Sequence, residues 1–221
     1  MSIFSQTAAL FRREVMLEQR QKYTLFCVLL YVVSTVFICK FCFRSIKDVP
    51  TWNALFWIIL LFAAATGVAR SFAQESRGRL LYLYTLADPR AILLAKLAYN
   101  SVLMTCLGLA GLLIYSFLIG YPVENTGMFI VALFFGCTGL AAAFTMISAI
   151  ASKAGQNFTL MAILGFPVVL PLLLCAIRLS MLAILGFEWS GDGFTYFGVL
   201  ASLNVSIIAL SYLLFPYLWR D

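Results

Sequence analysis

Over most of its length this chain does not alternate apolar and polar positions; its apolar residues run on. Six long apolar stretches lie at Tyr23–Phe43, Trp52–Phe72, Ala91–Ile119, Met128–Ile150, Phe158–Ile177 and Thr195–Leu218, separated by short polar connections. Crossing about 30 Å of hydrocarbon takes roughly 20 apolar residues, so each stretch predicts a membrane-spanning helix. The third is long enough to tilt or to reach past the bilayer. Apolar character continues beyond Ile177 to Leu185, so the fifth is expected to be a broken span or to re-enter. No connection is long enough to house a second domain. The pattern therefore predicts an all-α integral membrane protein, with one six-helix domain over residues 23–221.

Residues 1–22 follow a different rule. At 100° per residue, Ile3, Phe4, Ala8, Leu10, Phe11, Val15 and Leu17 share one half of the helical wheel, and Arg12, Arg13 and Arg20 lie opposite. This is the signature of an amphipathic helix lying on a membrane surface. Glu14 and Glu18 project from within the apolar half, where carboxylates are poorly placed against lipid. They are expected to face protein: Arg77 or Arg79 of the loop described next, or a bound subunit.

That loop, 73–90, is the one polar stretch between the second and third spans. Glu75, Arg77, Gly78 and Arg79 open it, and Gly78 permits a tight turn. Leu80, Leu81, Leu83, Tyr84 and Leu86 then make a short apolar run at helical spacing. Asp88-Pro89 stops the run and starts the next helix, because proline suits a first turn. An ordinary solvated connection would satisfy the same spacing. Leu and Tyr would be wasted on a free loop, however, and a helix docking into the groove of a soluble protein uses them.

Within the fifth span, Pro167 and Pro171 each remove a backbone donor, so the helix should kink or split there, either as a static packing feature or as a hinge. Arg70 and Arg178 sit near span ends, where snorkelling to the interface accounts for both. Cys39 and Cys42 form a C-x-x-C pair without a following histidine; two packing cysteines explain it, although a redox pair is conceivable. Trp52, Trp57, Trp189, Tyr196 and Trp219 read as interfacial anchors.

Composition fits this picture: 63% hydrophobic residues and 11% charged. Charge adds direction. With the N-terminus inside, the inner side holds Arg12, Arg13, Arg20, Lys22, Arg70, Arg77, Arg79, Arg90, Lys96, Lys153 and Arg220, against Lys40, Arg44, Lys47 and Arg178 outside. Eleven cations against four predict that both termini are cytoplasmic. The net charge of +6 then serves topology and attraction to anionic lipid. It is no nucleic-acid footprint, which would need a soluble basic face. No small-residue cleavage site follows the first apolar run, so a cleaved signal peptide is not expected.

Two absences narrow the chemistry. The chain has no histidine, so it supplies no imidazole base and no His-ligated zinc or haem. It has no G-x-x-x-x-G-K-[ST], so no phosphate cradle of its own. No span displays paired carboxylates, a Ser/Lys dyad or a metal cluster. An enzyme is not expected.

Trp52-x-x-Leu55, then Arg70-Ser-Phe, Glu75, Gly78, Leu80, Pro89 and Leu94-Ala-Lys96 resemble, in order and spacing, the haem exporter protein B family, CcmB. Phe11-Arg12-x-Glu14 and Pro167-x-x-x-Pro171-Leu-Leu are similar to that family as well, and the resemblance covers essentially the whole chain. One departure is that Arg77 and Arg79 flank Gly78, where relatives often carry an acidic residue before and a small hydroxyl after. The resemblance implies a permease of the type-2 ABC exporter kind in the bacterial inner membrane. It implies an interfacial helix carrying Phe11, Arg12, Glu14 and Glu18, and an ATPase-coupling loop carrying Glu75, Arg77, Gly78, Arg79, Leu80 and Leu83. Implied partners are an ATPase (CcmA-like) that binds the ATP, a haem-handling membrane protein (CcmC-like), a small accessory protein (CcmD-like), a haem chaperone (CcmE-like) and a second copy of the chain. Haem would be handled by the complex, with no cofactor bound directly by this permease. The bundle and loop suit two other roles: exporter of another amphiphile, and scaffold tethering an ATPase.

Overall fold

A computed structural model describes residues 3–21, 23–43, 48–68, 71–72, 88–153, 158–187 and 191–218. Those residues form helices α1 (Ile3–Gln21), α2 (Tyr23–Cys42), α3 (Val49–Gly67), α4 (Pro89–Ile119), α5 (Thr126–Lys153), α6 (Phe158–Ile184) and α7 (Gly191–Leu218), with no strand among them. Helices α2 to α7 each contain a window long and apolar enough to cross a membrane. The chain is an all-α integral membrane protein.

Helix ends follow local chemistry. The Asp48 carboxylate accepts the Thr51 amide at 3.2 Å and Pro50 fills the first turn, so α3 begins earlier than the apolar run alone suggests. Asp88 does the same for α4, accepting the Arg90 amide at 2.8 Å ahead of Pro89. Asn125 accepts the Met128 amide at 3.1 Å and starts α5. At the end of α6, Gly186 takes φ +75°, which lets the Phe187 amide reach back to the Leu182 carbonyl at 3.1 Å. Only glycine adopts that left-handed cap without a steric penalty.

Helix α5 is the axle of the bundle, packed most heavily on α6 and α4 and then on α7. Its small residues allow this. A Cβ on Gly136 would overlap the Trp57 ring of α3, and one on Gly139 would run into Leu172 of α6. Helix α2 is peripheral and presents Phe26, Leu30, Phe37, Ile38 and Phe41 outward, as a lipid-facing span should.

Two expectations need correction. Trp52 and Trp57 are not interfacial anchors: both are fully buried, Trp52 among Phe56, Tyr115 and Phe129, and Trp57 against Phe56. Their N–H groups are satisfied inside the protein, by the Gly120 carbonyl at 3.1 Å and the Ser180 hydroxyl at 2.8 Å. Interior partners replace the wet edge that an anchor needs. Tyr196 is half-buried; Trp189 and Trp219 lie outside the described residues.

Nor is the fifth span broken or re-entrant. Helix α6 runs continuously through Pro167 and Pro171 to Ile184. The prolines are one turn apart, so both lost donors fall on one exposed face. The opposite face keeps the helix together by burying Leu172, Ala176 and Leu179.

Candidate functional site

Four helices and a turn converge beside Phe72 and Asp88, the described residues that flank 73–87; this end of the bundle is here the loop end. Helix α4 has 31 residues, about 46 Å at 1.5 Å per residue, so its first turns extend past a 30 Å hydrocarbon layer. Lys96 and Asn100 sit one turn apart on this base and share a face. Both are buried, Lys96 with 3% of its surface exposed.

The Lys96 ammonium donates to the Ser71 carbonyl at 3.0 Å and lies 5.1 Å from the centre of the Phe72 ring. It stands 3.5 Å from the Glu14 carboxylate on α1. Glu14 is also 3.6 Å from the Arg13 guanidinium. Burying an ammonium costs several kcal/mol unless charge and hydrogen bonds compensate it. Here a carboxylate, a carbonyl and an aromatic face do so together.

Asn100 extends the network. Its Nδ2 donates to the Ser71 hydroxyl at 3.1 Å and to the Thr145 hydroxyl of α5 at 2.8 Å. The Phe72 amide donates to the Ser148 hydroxyl of α5 at 3.1 Å. Ser71 and Phe72, the last described residues before the loop, are thus held by α4 and α5 together.

The returning end is held as well. The Asp88 amide donates to the Gln6 side chain of α1 at 3.1 Å. The Arg90 guanidinium lies 5.1 Å from the centre of the Tyr212 ring, and Phe72 meets Phe215 at 5.7 Å between ring centres. Helix α1 adds an edge contact from Phe11 to Tyr99 at 6.5 Å.

The expected site residues divide as follows. Glu14 faces protein, and its partner on α4 is Lys96. Phe11 packs on α4 and Arg12 is exposed. Glu18 lies in α1 with its side chain outside the described set. Glu75, Arg77, Gly78, Arg79, Leu80 and Leu83 all lie outside the described residues, as does Arg70. Pro167 and Pro171 border an apolar groove of about 210 Å³, shared with Met146, Leu203, Ser206 and Ile207. Cys39 is buried and Cys42 exposed, and neither forms a disulfide. Arg178 is exposed.

Sequence reasoning gave no site role to Lys96, Asn100, Thr145 or Ser148. A signal for the first two existed: a lysine and an asparagine one turn apart inside an apolar run are expensive unless they meet a partner. The threonine and serine gave none, because either hydroxyl can bond its own helix backbone anywhere in a span.

What this arrangement can do is mechanical. It ties both ends of one loop to α1, α4, α5 and α7 through directional contacts. The family model described as CcmB protein matches residues 5–217. No curated protein and no solved structure matches the chain.

Proposed function

The chain belongs to the CcmB family, permeases of the haem-exporting ABC system, and on that premise we propose that it converts ATP hydrolysis by a partner ATPase into haem delivery for cytochrome c maturation. The family match across nearly the whole chain carries this reading. The arrangement at the loop end supports it, since a permease without a phosphate cradle must take up nucleotide-driven motion through contact.

In this reading the 73–90 segment is the coupling loop, and Leu80 and Leu83 enter a groove on the ATPase. Helix α1 lies on the inner leaflet as the interfacial helix, braced against α4 by Glu14 and Lys96. The cation asymmetry supports cytoplasmic termini and an inner-membrane location. Two copies come together with two ATPase chains, and the complex works with CcmC-like and CcmD-like membrane proteins. Its output is haem released from a CcmE-like chaperone for attachment to apocytochromes. ATP binds the partner, and haem is cargo of the complex.

The test is a haem-peroxidase stain of membranes from cells lacking the gene, beside cells complemented with it. Loss of covalently haem-bearing cytochromes, restored by the wild-type gene, is expected. Unchanged cytochromes in the absence of a redundant copy would overturn the reading and favour export of another amphiphile.

A further inference from the structure

The loop does not grip the bundle only through α1, α4 and α5. Phe72, just before it, and Arg90, its last residue, rest on two rings of the last span, Phe215 and Tyr212. Those rings are three residues apart and share one face of α7. A displacement of the loop ends therefore reaches α7 through a single short patch.

Helix α7 is built to respond. Leu210, Leu213, Leu214 and Tyr217 are exposed, so its loop-end third is held largely through the patch that includes Tyr212 and Phe215. Farther along, Asn204 fastens it. Its Nδ2 donates to the Phe135 carbonyl of α5 at 3.2 Å, and its Oδ1 lies 3.3 Å from the Thr138 hydroxyl. Asn204 and Tyr212 are eight residues apart, about 12 Å along the helix.

The groove against α6 starts beside the fastening and runs toward the patch. Leu203, Ser206, Ile207 and Leu210 form its α7 wall, and Pro167 and Pro171 stand opposite. That opposite wall lacks two helix hydrogen bonds, so it yields more readily than an intact helix. Load point, groove wall and pivot all lie on one helix.

We propose that α7 is an output lever of the permease: Tyr212 and Phe215 are positioning residues that carry coupling-loop displacement into α7, which turns about Asn204 and alters the groove at Pro167 and Pro171. This rests on the reading of 73–90 as the loop the ATPase drives.

The test uses the co-purified permease–ATPase complex and cells carrying each variant. Tyr212→Leu is expected to keep complex yield and ATPase rate within about two-fold of wild type while holocytochrome falls at least ten-fold. Tyr212→Phe, which keeps an aromatic face for Arg90, is expected to restore maturation. Arg90→Gln changes an exposed side chain and puts little of the fold at stake. Combined with Tyr212→Leu, it should lower holocytochrome no further than either change alone, because both cut one contact. Wild-type maturation in Tyr212→Leu would overturn the lever. So would a loss of complex yield in step with holocytochrome, or a double variant whose losses multiply. Failure of the wild-type gene to restore cytochromes would instead strike the proposed function itself.

Discussion

Lys96 and Glu14 meet across 82 positions of sequence, with Nζ 3.5 Å from Oε2, and the ammonium is the more deeply buried partner. Removing the carboxylate leaves a buried cation with less compensation. Glu14→Ala is expected to weaken α1 docking by about 2 kcal/mol, between an exposed and a fully buried pair because Glu14 is partly exposed. Limited proteolysis should then cut at α1 sooner, and the swap Glu14→Lys with Lys96→Glu should recover part of the protection. Unchanged cutting in Glu14→Ala would show that the pair does not hold α1.

Replacing both charges by apolar chains separates stability from function. Lys96→Met combined with Glu14→Leu replaces both charges of the pair, so the melting midpoint of the solubilised protein should change little. Maturation should still fall, because the Ser71 carbonyl loses its donor and α1 its tether. Full activity in this double variant would rule out a part for the pair in coupling.

At the bundle centre, Gly136 leaves room for the Trp57 ring, whose Cζ3 would stand 2.6 Å from an added Cβ. Gly136→Ala should destabilise by about 1–3 kcal/mol, as overpacking does. Trp57→Leu in the same chain should recover part of the lost thermal midpoint. Two fully additive losses would contradict this packing.

Ser180 joins α3 to α6: it accepts from Trp57 Nε1 at 2.8 Å and its Oγ lies 2.8 Å from Asn53 Oδ1. Asn53 Nδ2 in turn donates to the Ile177 carbonyl at 2.9 Å. Ser180→Ala strands a buried indole N–H and an amide oxygen, so a loss of about 2–4 kcal/mol is expected. Thermal unfolding in detergent measures it, and an unchanged melting midpoint would contradict the assignment.

Leu80→Glu with Leu83→Glu should abolish co-purification of the ATPase while the six spans still insert and melt normally. Retained binding would exclude these leucines from the docking surface.

Element existence was legible because membrane spans announce themselves by length. Helix type, span number and the surface-like character of α1 need no tertiary information. The depth of each residue does need it. Trp52 and Trp57 near a span start look like anchors until Gly136 and Gly120 supply, from elsewhere in the chain, a space and a carbonyl. Continuity of α6 was hidden for the same reason: a proline breaks a ladder locally, and only packing of the opposite face decides whether the helix survives. In the site, Glu14 was visible as a charge on the wrong side of its wheel. Its partner, Lys96, signalled only that it needed some partner, and spacing alone does not relate positions so far apart.

The separation of Glu14 and Lys96 also sets an order of events at synthesis. The N-terminal segment leaves the ribosome first, so the carboxylate is made before α4 and lacks its partner until α4 emerges. A lysine entering a bilayer alone is penalised, and the pair with Glu14 closes as α4 arrives. Seating of α1 is therefore a late step of biogenesis, completed only when the third span has inserted and delivered its cation.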